Sequence, residues 1–160
     1  MQIRTCAFTG HREIPAAHIE QLKMHLDAAI TAFFGMGCTR FYAGGARGFD
    51  TLAAERVLAF RSRHPEAELH LILPCRDQMR GWPKEDEDRA RAVIAAANSI
   101  RYLQSNYTST VMAERNRALI DAAEGCIAYV ARPASGGGQT LRLAEKKGIP
   151  TVNLALRIEE

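Results

Sequence analysis

Three consecutive glycines and two hydroxyl residues give one segment of this sequence the composition of a phosphate-binding turn. The segment reads SGGGQT, from Ser135 to Thr140, and it leads into a helical pattern that ends at Gly148. Glycines let a backbone approach an anion closely, and the first N–H groups of a helix are free to bind one. The residues predicted to contact a phosphate here are Ser135, Gly136, Gly137, Gly138 and Thr140.

Two earlier turns have a similar composition. TGHR (9–12) follows the first apolar run of the chain, and AGGARGFD (43–50) follows the second. In any single turn the glycines could serve turn geometry alone. Several such turns, together with their arginines, favour an anionic ligand. The predicted ligand-binding residues of these two turns are Thr9, Gly10, His11, Arg12, Gly44, Gly45, Arg47 and Gly48.

Two polar residues fall on the inward face of a predicted helix. In TVMAERNRALIDAAEG (110–125), Arg115 and Asn116 lie one turn from the apolar residues Met112 and Leu119. A buried arginine needs an anionic partner, so we predict that a ligand phosphate meets Arg115 and that Asn116 also contacts the ligand. The alternative is a salt bridge that only fastens helices together, and its candidate acids are Asp50, Asp121 and Glu55.

The histidines and cysteines indicate no metal site. His11 could donate to an anion or act as a general base, although a histidine in such a turn more often has a structural hydrogen-bonding role. His18 and His25 lack a supporting acid at ligand spacing and are expected at the surface. The four cysteines form no CxxC pair, which argues against zinc and disulfides. We therefore expect no metal, no cofactor and a cytoplasmic location.

Short apolar runs alternate with helical patterns along the whole chain. Such alternation predicts an α/β fold, namely a three-layer, doubly wound Rossmann-like sandwich with a mainly parallel sheet, in one domain over residues 1–160. Ligands bind such sheets at the carboxyl ends of the strands. Asp50 is expected just before a helix, and Glu85 to Asp88 within a first turn. The predicted strands are Ile3–Phe8, Phe41–Ala43, Leu69–Leu73, Ile100–Leu103, Cys126–Val130 and Thr151–Leu154.

Composition restricts the partners. The net charge of +3 comes from mixed charges without a basic block, so a nucleic-acid partner is permitted but unlikely by this criterion. No apolar stretch approaches the roughly 20 residues that span a bilayer, so no membrane partner is expected. Amphipathic helices could pair copies into a homo-oligomer, or their apolar faces could all be internal.

Four motifs together resemble the SLOG superfamily. They are CAFTGHR (6–12), GGARGFDTLAAE (44–55), SNYTSTVMAERNRALID (105–121) and GGGQT (136–140). This superfamily includes DprA/Smf DNA-processing proteins, LOG nucleotide phosphoribohydrolases and small YpsA-like proteins, and the last group is the most similar. The resemblance implies a Rossmann-like fold and a nucleotide or nucleotide-derived ligand at the turns after the first, second and fifth strands.

The resemblance to LOG enzymes is incomplete at one chemically important place. Arg115 matches their catalytic arginine, and Gly136, Gly137 and Thr140 match their phosphate-holding residues. Gln139 stands where a glycine is expected, and Arg142 and Leu143 stand where acids are expected. Cleavage of an N-glycosidic bond develops positive charge on the ribose, which a carboxylate stabilises. If the chain hydrolyses this bond, Asp50 is the predicted replacement acid, acting with Arg115.

Three functions follow as hypotheses. The first is a sensing or regulatory module that binds a nucleotide or an ADP-ribose-like derivative. The second is an N-glycosidase, or phosphoribohydrolase, acting on nucleoside monophosphates. The third is binding of single-stranded DNA as in DprA, which we rank last because aromatic residues make up only 7% of the chain and do not alternate with basic ones.

Overall fold

Six strands form a single sheet. The computed structural model describes residues 2–159. The strands are β1 (Thr5–Gly10), β2 (Arg40–Ala43), β3 (Glu68–Cys75), β4 (Ser99–Gln104), β5 (Gly125–Tyr129) and β6 (Thr151–Asn153). Their order is β4-β3-β2-β1-β5-β6, and every neighbouring pair is parallel. The prediction of a doubly wound, mainly parallel sheet is confirmed.

Helices connect the strands. They are α1 (Ile19–Gly35), α2 (Phe49–Arg61), α3 (Lys84–Ala96), α4 (Val111–Ala122) and α5 (Gly136–Lys147), and short 3-10 turns cover Ala16–His18 and Leu154–Arg157. No helix within residues 2–159 combines the length and apolar character that crossing a membrane requires.

Alternating side chains of the strands face two different helical layers. Phe8 and Phe41 stack with ring centroids 6.0 Å apart and pack with Leu22 of α1 on one face. Ala7 lies on the opposite face and packs with Leu119 of α4. Large aromatic side chains therefore contribute to the layer under α1, α2 and α3, whereas the buried residues under α4 and α5 are mainly aliphatic.

The connections reverse direction between β1 and β5. From β1 the chain proceeds through α1 to β2 and on towards β4, whereas from β5 it proceeds through α5 to the opposite edge at β6. In doubly wound sheets the turns separate at such a switch point and leave a crevice beyond the strand ends. The turns after β1 and β5 therefore border the natural binding position of this fold.

Helix ends follow the predictions with one exception. Glu85 lies in the first turn of α3, and Gly148 ends α5 in a left-handed conformation with φ 79°. Asp50 was expected to precede α2 but is its second residue, because Gly48 takes the N-cap position.

His18 is also not a free surface residue, since it is half-buried with its ring 3.2 Å from the Tyr129 hydroxyl.

Candidate functional site

A cavity of about 420 Å³ lies at the switch point. Its walls come from the β1–α1 turn, the start of α2, the inward face of α4 and the β5–α5 loop. Its size is within the range of small-molecule sites. The lining residues are Phe8, Thr9, Gly10, His11, Arg12, Glu13, Ala46, Arg47, Asp50, Met112, Arg115, Asn116, Leu119, Arg132, Ser135, Gly136 and Gly137.

Most of the predicted site residues line this cavity, but some glycines do not. A Cβ on Gly48 would lie 2.1 Å from the Arg12 carbonyl oxygen, and one on Gly138 would lie 2.0 Å from that of Pro133. These glycines allow the turns to pack on one another, and their contact with a ligand stays a prediction. The predicted residues outside the lining are Gly44, Gly45, Gly48, Gly138 and Thr140.

The N-terminus of α5 presents free backbone donors to the cavity. Ser135 caps the helix, since its hydroxyl accepts from the Gly138 N–H at 3.1 Å and donates to the Arg132 carbonyl at 2.6 Å. The Thr140 hydroxyl donates to the Gly136 carbonyl. Both hydroxyls are thus used internally. The N–H groups of Gly136 and Gly137 have no acceptor among residues 2–159 and remain available to an anion.

Arg115 is buried at the inner wall of the cavity, with 5% of its surface exposed. Its Nη1 donates to the Gly44 carbonyl, and its Nε donates to Asn116 Oδ1 at 2.9 Å. Burial lowers the pKa of Arg115, and the negative charge of Asp50 partly opposes this effect. Within the described chain, Nη2 has no hydrogen-bond partner. Two guanidinium nitrogens, Nε and Nη1, are therefore held by hydrogen bonds, whereas Nη2 remains available to a ligand.

The predicted alternative, an ion pair from Arg115 to a neighbouring acid, does not form among residues 2–159. Glu55 pairs instead with Arg89 at 2.5 Å. Asp50 influences Arg115 through its charge, without a direct ion pair. The arginine thus depends on a backbone carbonyl and an amide for its position.

Asp50 is the only acid among the described residues that is buried in the cavity wall. It is 6% exposed, and its Oδ2 accepts from the Ala46 N–H at 3.2 Å. Burial raises the pKa of this carboxyl, although Arg115, the Ala46 hydrogen bond and Arg12 all act in the opposite direction. A carboxyl with a raised pKa beside a cation is a frequent feature of acid–base sites.

His11 connects the β1–α1 turn to the β5–α5 loop. Its Nε2 accepts from the N–H groups of Ala131 at 2.8 Å and Arg132 at 3.2 Å. Burial and the charge of Arg132 lower the pKa of His11. An Nε2 that accepts two N–H bonds carries no proton and cannot also take one from a substrate. Nδ1–H is left as the donor that His11 can offer to a ligand.

Arg132 and Glu13 belong to the cavity although sequence reasoning did not select them. Arg132 follows β5 and lines the cavity without any ion pair to residues 2–159. Glu13 lies 3.7 Å from Arg47, which also lies 3.6 Å from Asp86 of α3. The position of Arg132, three residues before the glycine segment that begins at Ser135, was the available signal. The lining therefore favours anions, because its cations outnumber its acids. The cations are Arg12, Arg47, Arg115 and Arg132, and the acids are Asp50 and Glu13.

The residues that replace the expected acids on α5 point elsewhere. Arg142 Nη1 donates to the Pro133 carbonyl at 2.7 Å and so braces the β5–α5 loop. Leu143 lies in a separate groove between α4 and α5 that Gln139 also lines. Among residues 2–159, no group of three or more histidine, cysteine or acidic side chains is arranged to hold a metal ion.

A parallel sheet of this order with a ligand-sized cavity at its switch point defines a Rossmann-like α/β protein. The family model described as the YspA SLOG family (YpsA) matches residues 7–145, and the chain belongs to this family. No curated protein matches it in sequence.

Two solved structures of DNA processing protein A share the fold. The protein from Streptococcus pneumoniae is 16% identical with a TM-score of 0.65, and the match covers 92% of this chain and 49% of that one. The Helicobacter pylori protein, described by its single-stranded DNA binding mode, is 22% identical with a TM-score of 0.67, over 92% of this chain and 63% of that one. The present chain thus spans about half to two-thirds of these relatives.

Proposed function

We propose that this chain binds a nucleotide or a nucleotide derivative such as an ADP-ribose-type molecule, with a phosphate in the switch-point cavity. One observation carries the proposal. Gly136 and Gly137, with free N–H groups, line the same cavity as Arg12 and Arg132. Neither arginine side chain has a hydrogen bond or ion pair to residues 2–159. Free donors and unpaired cations around one space suit a phosphate.

The remaining walls fit the other parts of a nucleotide. Met112, which is half-buried on the inward face of α4, supplies apolar surface for a base. Asn116 retains its amide N–H donors, since only its Oδ1 is used by Arg115. A sensing or regulatory role suits this site better than catalysis, because no acid from α5 lines the cavity.

Calorimetric titration with AMP and with adenosine tests the role of the phosphate. Hydrogen bonds to charged groups contribute about 1.5–3 kcal/mol each, so AMP is expected to bind at least tenfold more tightly than adenosine. Arg132→Ala should weaken AMP binding about tenfold. Arg157→Ala, which changes an arginine in the C-terminal 3-10 turn, is the matched control and should leave it unchanged.

Thermal unfolding gives an independent measurement. AMP at 100 times its Kd is expected to stabilise the protein by about 2.7 kcal/mol. Equal affinity for AMP and adenosine would contradict a phosphate site, and the absence of binding by every phosphate-bearing compound would overturn the proposal.

Asp50 supports a second candidate, hydrolysis of the N-glycosidic bond of a nucleoside monophosphate. Its buried carboxyl lines the cavity beside Arg115 and can stabilise positive charge on the ribose while water adds to C1′. The base would leave with a proton, giving free base and ribose 5-phosphate. Chromatographic detection of free base tests this reaction. Turnover should be lost in Asp50→Asn and kept in Asp121→Asn, an exposed acid of α4 outside the cavity.

The similarity to DNA processing protein A argues against the expectation from composition that nucleic acid is an unlikely partner. Arg76 lies 4.3 Å over the ring of Tyr102, a basic–aromatic pair at the same sheet edge that the sequence did not indicate. Single-stranded DNA binding is therefore a third candidate. Fluorescence anisotropy with an oligonucleotide at 50 and 200 mM salt tests it, since phosphate contacts give a steep loss of affinity with salt. Binding that Tyr102→Ala does not weaken would argue against this pair as the contact.

A further inference from the structure

A second cavity of about 490 Å³ lies between the starts of α1, α2 and α3. Arg12 lines both this cavity and the one at the switch point. The main chain at Arg12 packs closely against Gly48. The neighbouring His11 carbonyl accepts from the Phe49 N–H at 3.0 Å. The β1–α1 turn therefore forms a fixed border between the cavities, and Arg12 lies on that border.

The second cavity has an apolar part and charged groups at fixed places in its lining. Ile14, Ile19 and Leu52 supply the apolar part of its lining. Two solvent-exposed charged groups, Arg12 at the border and Glu85 on α3, have no hydrogen bond or ion pair within residues 2–159.

The other charged groups of this lining are already neutralised by neighbours. Glu55 pairs with Arg89 at 2.5 Å, and Asp86 lies 3.6 Å from Arg47. Lys23 pairs with Glu20 at 3.3 Å. The charged groups of this lining that lack a hydrogen bond or ion pair within residues 2–159 are thus Arg12 at the border and Glu85 on α3.

We propose that the two cavities form a single bipartite site for a dinucleotide-type ligand, in which a pyrophosphate joins a nucleoside to a second half that contains a ribose. This inference rests on the proposed function of the first cavity. One half with its phosphate lies in the first cavity, the pyrophosphate crosses the border at Arg12, and the second half lies against Ile14, Ile19 and Leu52. Glu85 accepts hydrogen bonds from the ribose hydroxyls of the second half.

The charges favour this ligand over two separate anions. An unpaired arginine attracts the pyrophosphate, whereas a free carboxylate repels a further phosphate and accepts from hydroxyl groups. An apolar surface between them suits a sugar or a planar ring rather than a charged group. A mononucleotide fills only one of the two cavities, so its affinity should be lower.

Calorimetric titration with AMP and ADP-ribose tests the inference. ADP-ribose is expected to bind at least tenfold more tightly than AMP. Glu85→Ala and Ile19→Ala should each weaken ADP-ribose binding at least threefold while changing AMP binding less than twofold. Asp88→Ala is the matched control on α3, since Asp88 pairs with Lys84 at 2.9 Å and lines neither cavity, and it should change neither affinity. Thermal unfolding of each variant verifies that it is folded.

The outcomes separate this inference from the proposed function. AMP binding without a preference for ADP-ribose, or variants that weaken both ligands equally or neither, overturns the bipartite site and leaves the first cavity as a nucleotide site. Failure of both AMP and ADP-ribose to bind overturns both proposals.

Discussion

The guanidinium group of Arg115 lies against the main chain of Gly44, whose carbonyl oxygen accepts a hydrogen bond from Nη1. The contact joins α4 to the loop between β2 and α2, and it holds a buried cation at the wall of the cavity. A side chain at position 44 would occupy the space of the guanidinium. The absence of a side chain there thus determines where Arg115 Nη2 can meet a ligand.

Gly44→Ala is therefore expected to weaken ligand binding more than it weakens the fold. The new Cβ would lie 2.6 Å from Nη1, so the flexible end of Arg115 must move. We expect AMP affinity to fall about tenfold, with a loss of about 1 kcal/mol in the free energy of unfolding. Gly35→Ala, where nothing lies within 4 Å of the added Cβ, is the control and should leave affinity unchanged. Unaltered AMP binding in Gly44→Ala would show that Arg115 does not contact the ligand.

His11 should make the stability of the protein fall in mild acid. Its pKa is lowered, so as pH falls below 6.5 the unfolded chain takes up a proton before the native state does. Above pH 6.5 the full contribution of neutral His11 is present, and it is lost as pH falls towards the lowered pKa. Relative to His11→Gln, whose amide oxygen can still accept, the wild type should lose up to about 1.4 kcal/mol per pH unit in this window. Urea unfolding at pH 7.5 and 5.5 measures the difference.

The control for this experiment is His25→Gln on α1, because His25 makes no hydrogen bond within the described residues. If the free energy of unfolding changed with pH equally in the wild type and in His11→Gln, the assignment of a neutral His11 would be contradicted.

Asp50→Asn should stabilise the fold while it removes any carboxylate chemistry. Burial raises the pKa of Asp50, so its ionised form destabilises the native state above that pKa. An amide oxygen can still accept from the Ala46 N–H. We expect a gain of about 0.5–2 kcal/mol at pH 7, which is the usual range for a single stabilising substitution.

This gain should be pH-dependent. As pH falls from the raised pKa towards the ordinary value of 3.8, Asp50 becomes protonated in the wild type and the advantage of the variant disappears. Urea unfolding of both proteins from pH 7 to pH 4 tests this, and a constant difference across the range would contradict the raised pKa.

Gly48→Ala should be severely destabilising, since position 48 combines a positive φ of 80° with close packing. The added Cβ would lie 2.1 Å from the backbone oxygen of Arg12, which cannot move without disrupting the β1–α1 turn. Gly148→Ala is a matched control with φ 79° and no atom within 4 Å of the Cβ. The control should cost about 1–2 kcal/mol, the usual cost of the left-handed conformation, and Gly48→Ala clearly more. Equal losses in urea unfolding would mean that the turn can yield.

The sequence by itself determined the fold and the edge at which the turns meet. Apolar runs and helical periodicity are local patterns, so all six strands were predicted close to their observed bounds. Because parallel strands bring their carboxyl ends to one edge, the sequence predicted that the turn at Thr9 and the glycines at Gly136 meet there, and both line the same cavity in the structure.

The tertiary structure alone decided which atoms of those residues are free. The partners of Arg115 Nη1 and His11 Nε2 lie 71 and 120 residues away in the chain, and no spacing rule predicts such contacts. For the same reason the unpaired Arg132 and the second cavity at Arg12 emerged only from the packing. A hydrogen bond between turns depends on the relative placement of whole strands and helices, and this placement is settled only when the core is packed.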